Sequence, residues 1–128
     1  MNVKKKEDSS DKELLKNIFF SSLRLADPVT KLKQLKFTKP LGRLFFVAVG
    51  KGAGRHAEAF KSNYDGFADG VVILPENEEC EDLGFKVFKA SHPVPSSYGL
   101  EASKYLVTEV KRLKEKDLLI FCISGGAS

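Results

Sequence analysis

The residues best suited to chemistry lie in Leu44-Phe-Phe-Val-Ala-Val-Gly-Lys-Gly-Ala-Gly-Arg55, where an apolar run stops at three alternating glycines and resumes with helical spacing. Gly50, Gly52 and Gly54 permit a sharp turn that brings backbone N–H groups against a ligand. The helix that follows aims its positive end at the same point. Lys51 adds a full charge. A helix N-terminus disfavours a cation by about 0.3–1 kcal/mol, so Lys51, and Arg55 in the first turn, are better accommodated with an anion between them. The chemistry expected is therefore the binding of a phosphate or a carboxylate. The spacing fits neither a Walker A loop nor the third glycine of the dinucleotide fingerprint. A turn that only permits tight strand-to-helix packing, with Lys51 solvated, accounts for these glycines as well.

Two further segments carry suitable groups. In Ser124-Gly-Gly-Ala-Ser128 the N–H groups of Gly125 and Gly126 can form an anion nest, and the hydroxyls of Ser124 and Ser128 can donate to a phosphate or carboxylate. In Ser91-His-Pro-Val-Pro95 two prolines stiffen a loop carrying His92, either a ligand-binding group or a structural hydrogen-bonder. No set of Mg²⁺ ligands is evident, because the acidic stretch Glu76 to Asp82 falls at the wrong place in the pattern and is expected to be a solvated loop.

The elements that must position these groups follow from periodicity and punctuation. Residues 1–10 are polar and expected to be flexible. Ser9-Ser10-Asp11 offers an N-cap for a helix carrying Leu14, Leu15, Ile18, Phe19 and Leu23, which runs to about Ala26 and stops at Asp27-Pro28. Val29 to Phe37 suits either a strand or a short helix. Leu44 to Val49, Gly70 to Pro75 and Leu118 to Ile123 are fully apolar, as buried parallel strands are. Phe85 to Lys89 alternates like an edge or half-buried strand. One helix is expected from Ala53 to about Asn63. Another, capped by Ser96 or Ser97, turns Leu100, Ala102, Tyr105, Leu106, Val110 and Leu113 toward the core.

Strands alternating with helices, without hairpin turns, predict an α/β fold: a doubly wound, mostly parallel, Rossmann-like sheet. Such folds bind ligands at the carboxyl ends of their strands, and all three loops leave that rim. A strand layer that stops after Ile123 is expected to leave an apolar edge, which leads either to a second copy that covers it, hence a homo-oligomer, or to poor solubility.

Composition narrows the classes. At 128 residues the chain is the size of one small domain, and it has no apolar run of the ~20 residues that span a bilayer. Its first residues, Met1-Asn-Val-Lys-Lys-Lys-Glu-Asp8, are too polar for a signal peptide, so a cytoplasmic location without a membrane partner is expected. The net charge of +4 reflects 12 Lys and Arg against 5 Asp and Glu in residues 1–51, but no zinc-ligand, RRM or KH pattern accompanies it. Nucleic acid is not expected as a partner. Cys80 and Cys122 lack CxxC spacing and are expected to be reduced and inert.

Taken in order, Val49-Gly-Lys-Gly-Ala53, His92-Pro-Val-Pro95 and Ser124-Gly-Gly-Ala-Ser128 resemble the type-2 glycerate kinase family, with its VGKAA-like turn, HPVP element and SGGxSAL loop. The resemblance covers nearly the whole chain. It implies ATP-dependent phosphorylation of D-glycerate at its 2-hydroxyl, with Mg²⁺ bridging nucleotide phosphates. Lys51 would be the catalytic cation, and Gly50, Gly52, His92, Ser124, Gly125, Gly126 and Ser128 would contact substrate or phosphate. Members are several times longer, so residues 11–128 are expected to be the N-terminal part of a larger Rossmann-like domain, inactive alone, with metal ligands elsewhere. Gly52 departs from the family, where alanine is common, and His56 follows it in the helix. Two other functions stay open: hydroxypyruvate reduction, a label given to some relatives, and a non-catalytic sugar-phosphate-binding module.

Overall fold

A computed structural model describes residues 3–125, with side chains from Ser9 onward. Eight elements follow one another: α1 (Val3–Ala26), α2 (Pro28–Leu32), β1 (Leu44–Val49), α3 (Ala53–Asn63), β2 (Asp69–Pro75), β3 (Lys86–Ala90), α4 (Ser97–Lys111) and β4 (Leu118–Ile123). The four strands form one sheet in the order β3-β2-β1-β4, and every neighbouring pair is parallel. This is the doubly wound arrangement expected from the alternation of strands and helices.

Strand pleating divides the apolar residues of β1 between two cores. Phe46 and Ala48 face the α3 side and pack with Ala53, Ala57 and Phe60, while Phe45 and Val47 face the α4 side with Tyr105, Leu106 and Val110. On the α3 side Phe46 stacks on Phe60 at 4.5 Å between ring centres and on Phe85 at 5.1 Å. Because β1 is central and buried on both faces, it reads as an unbroken apolar run.

The apolar run of β4 has a different setting from the one its composition predicts. β4 lies at the edge of the sheet. Leu118, Ile120 and Cys122 pack on the α3-side core, but Leu119, Phe121 and Ile123 are 37%, 45% and 67% exposed. The cause is topological: α4 packs chiefly on β3, at the opposite edge, and leaves the same face of β4 partly open. Leu100, expected in the core, is 56% exposed for a related reason, since it borders this open region at the start of α4. The expected cap at Ser96 is present, its hydroxyl accepting from the Gly99 N–H.

The segment from Val29 resolves as the short helix α2, followed by a turn and an extended stretch. Helix α1 begins at Val3, before the cap expected at Ser9 to Asp11, and its apolar residues Leu14, Leu15, Ile18, Phe19 and Leu23 are all more than half exposed. The acidic stretch is more than a solvated loop. β2 and β3 are parallel, so the chain must return between them, and it does so without a helix. That return lays Cys80 and Leu83 against the α3-side core.

At the amino ends of the strands, Arg43 ties three elements together. Its guanidinium bonds Asp69 and Glu109, each at 2.9 Å, and lies over the Phe45 ring, while its N–H donates to Asp117 at 2.7 Å. The hydrogen bond from Arg43 holds the Glu109 carboxyl below its ordinary value against the opposing effect of burial. The partners of Arg43 lie 26, 66 and 74 positions further along the chain, and no local motif announces them.

Candidate functional site

The glycine turn joins the carboxyl end of β1 to α3. Gly50 has φ 107°, a conformation that an L side chain rarely adopts, and its N–H donates to the Ile73 carbonyl of β2 at 3.0 Å. The Ala53 N–H then donates back to the Gly50 carbonyl at 3.0 Å, which closes the turn.

Across the turn stands Ser124, the first residue after β4. Its hydroxyl accepts the Gly52 N–H at 2.8 Å and donates to the Val49 carbonyl at 3.3 Å, and its own N–H donates to the same carbonyl at 3.0 Å. The two loops therefore meet directly, as expected for adjacent parallel strands ending at one rim. A Cβ on Gly52 would sit 3.1 Å from the Ser124 Cβ, a few tenths of an ångström closer than an ordinary contact, so glycine makes this approach without adjustment. Both functions of the hydroxyl are used within the protein, which makes Ser124 the fastener between the loops.

The cations at the turn differ in their surroundings. Arg55 bonds Asp27 at 3.1 Å and Glu58 at 3.2 Å, and the hydrogen bond to Asp27 raises its pKa further. The anion inferred beside Arg55 is thus supplied by the protein, from the corner between α1 and α2. Lys51 is exposed and makes no ion pair among the described residues.

His92 is half-buried in the loop after β3. Its neighbours Ser91, Pro93 and Pro95 form one wall of a groove of ≈ 560 Å³, whose floor includes Val49, Ile73 and Ile123 at the carboxyl ends of three strands. The 91–95 loop thus reaches the expected rim, on the α4 side of the sheet. Gly125 is exposed and open. Gly126 and Ser128 lie outside the described residues.

On the α3 side a second cavity, ≈ 480 Å³, is lined by Ala26, Pro28, Lys31 and Leu32 on one wall and by Gly52, His56 and residues 122–124 on the other. His56 was visible in the sequence only as a helical residue four places after Gly52. Burial pushes its pKa down, so the ring is neutral near pH 7, and its Nδ1 is enclosed without a hydrogen-bond partner. Burial also raises both cysteine pKa values, with nearby Glu58 and Glu81 adding to the effect at Cys80, which keeps these thiols protonated. Among the described residues no group of three or more His, Cys, Asp or Glu is placed to hold a metal. The carboxylates that reach the first turns of α3, Asp27 and Glu58, are both engaged by Arg55.

Residues 14–128 match the family described as a domain of unknown function, DUF4147. A D-glycerate 2-kinase of Thermotoga maritima is 29% identical over 124 residues, covering 95% of this chain and 30% of the relative. An Agrobacterium vitis protein, provisionally named a hydroxypyruvate reductase, is 29% identical over 122 residues, with 94% of this chain and 28% of the relative covered. The crystal structure of a Thermotoga maritima glycerate kinase superposes with a TM-score of 0.79 at 30% identity, over 92% of this chain and 29% of that one. The chain thus spans less than a third of the length of these relatives.

Proposed function

Because this chain belongs to the DUF4147 family, we propose that it supplies the glycine-turn part of an ATP-dependent kinase that phosphorylates D-glycerate at its 2-hydroxyl, giving 2-phosphoglycerate and ADP. The observation that carries the reading is the 2.8 Å bond from the Gly52 N–H to the Ser124 hydroxyl, which fixes two small-residue loops at one rim beside Lys51, a cation with no ion pair among the described residues. In phosphoryl transfer the protein mainly positions reactants and offsets charge on the transferring group. Lys51 takes that role beside the exposed Gly125, while the N–H groups of Gly50, Gly52 and Ala53 and the Ser124 hydroxyl are spent on bonds within the protein that hold the turn in shape. The glycerate hydroxyl oxygen forms the new bond to the γ-phosphorus and gives up its proton to solvent water, while the bond from that phosphorus to the β–γ bridging oxygen breaks and ADP leaves. Mg²⁺ would reduce the charge of the triphosphate. Among the described residues the carboxylates around this turn do not compose a shell for it.

Turnover is best measured in a chimera in which this segment replaces its counterpart in the Thermotoga maritima glycerate kinase. ATP-dependent formation of 2-phosphoglycerate is expected, with Lys51→Ala lowering kcat by about 100-fold or more. Undiminished turnover in that variant would remove Lys51 from the chemistry. The provisional name of the Agrobacterium vitis relative motivates a second reading, reduction of hydroxypyruvate. Hydride transfer needs a dinucleotide cradle, and the glycine spacing here lacks that fingerprint. Oxidation of NADH by hydroxypyruvate would favour it.

A further inference from the structure

We propose that the cavity between α2 and α3 binds a small organic carboxylate, with Lys31 and His56 as its donors. It opens beside the glycine turn, sharing Gly52 and Ser124 with it, and lies on the α3 side of the sheet, whereas the groove under the 91–95 loop is on the α4 side. At ≈ 480 Å³ it has the size of a small-molecule pocket, and it combines apolar surface from Pro28, Leu32 and Ile123 with a few polar groups. Its two walls are pinned to each other. The Asn63 side-chain amide donates to the carbonyls of Leu32 and Leu35, at 2.7 and 2.6 Å, and Arg55 reaches Asp27.

The polar groups determine the ligand class. Neither ring nitrogen of His56 has a partner among the described residues. Nδ1 is enclosed, so Nε2 is the nitrogen that a ligand can reach. With the proton on that outer nitrogen, the neutral ring donates one hydrogen bond. Lys31 lines the same cavity and makes no ion pair among the described residues. Arg55, the other cation close by, is matched by Asp27 and Glu58. Among the residues that line the cavity, one uncompensated charge and one neutral donor fit a monoanionic carboxylate better than a phosphate dianion, and the apolar wall suits a short carbon chain. This rests on the kinase reading only for the identity of the acid, D-glycerate, whose carboxylate would enter here while its hydroxyl faces the glycine turn.

The test is a two-dimensional amide NMR titration of the full chain with D-glycerate, with L-lactate and with inorganic phosphate. Both carboxylates should give saturable shifts at Leu32, Gly52 and His56. Lys31→Gln and His56→Leu should each weaken binding about tenfold or more. His56→Gln, whose side-chain amide can stand in for Nε2–H, should retain binding within about threefold of the wild type. Lys31 is exposed, so its variant remains informative if His56→Leu fails to fold. Shifts from phosphate alone, or carboxylate binding unchanged in Lys31→Gln, would overturn the proposal. Carboxylate binding that persists while the chimera shows no ATP-dependent turnover would sink the kinase reading and leave this one standing.

Discussion

Gly52 and Ser124, 72 residues apart, are joined by a 2.8 Å hydrogen bond at the point where two parallel strands deliver their loops. The bond depends on a hydroxyl at 124, and the small side chain at 52 leaves the contact unstrained. Gly52→Val should lower stability by about 1–3 kcal/mol, since the new side chain meets the Ser124 Cβ at 3.1 Å and the loops must part. Ser124→Ala leaves the Gly52 N–H without its acceptor and should cost about 1–2 kcal/mol. Urea denaturation measures both, and an unchanged midpoint in Ser124→Ala would contradict the fastening role.

Lys51→Ala should separate binding from stability. The side chain is exposed and has no ion pair among the described residues, so its removal should change unfolding free energy by less than about 0.5 kcal/mol. Calorimetric titration with ATP should nevertheless show weaker binding in the variant. A large fall in thermal stability would reassign Lys51 to the architecture.

The Arg43 hub should give the fold an acid-sensitive component. Glu109 is 7% exposed and its carboxyl is held below the ordinary value by the Arg43 hydrogen bond. Its stabilising contribution is fully present above the unfolded-state pKa, about 4.3, and is lost as pH falls through the lower folded-state value. Glu109→Gln should therefore flatten the dependence of stability on pH below about 5, with little change in slope between pH 6 and 8. Arg43→Ala should cost about 2 kcal/mol at neutral pH, chiefly because Glu109 loses a partner in a partly dry setting. Denaturation curves at a series of pH values check both.

The open face of β4 predicts self-association. Leu119, Phe121 and Ile123 present an apolar stripe on an edge strand free of charge and proline, the arrangement that invites pairing with another copy. Phe121→Lys should shift the chain toward monomer in sedimentation experiments at rising concentration. Wild-type protein that stays monomeric at high concentration would count against this.

The parts legible in the sequence were those governed by local rules. Glycines 50, 52 and 54 after an apolar run gave the strand–turn–helix unit, and Ser96 gave the cap of α4, because turn and cap chemistry act within a few residues. Central β1 and edge β4 have nearly the same composition, yet only one is buried on both faces. Burial depends on where α4 lands, and strand composition carries no record of that. The same limit hid His56, which becomes conspicuous only when α2 folds against α3, and it hid Asp27 as the partner of Arg55. Val29 to Phe37 stayed ambiguous because lysines alternating with apolar residues suit either period, and contact with α3 selects the helix.

Arg43 and Lys51 stand at opposite ends of the same strand, one enmeshed in carboxylates and the other without an ion pair among the described residues. Mutational tolerance should divide accordingly. Ligand preference can drift at one end of β1 while cohesion is maintained at the other, so a sequence change that retunes recognition need not carry a folding defect with it.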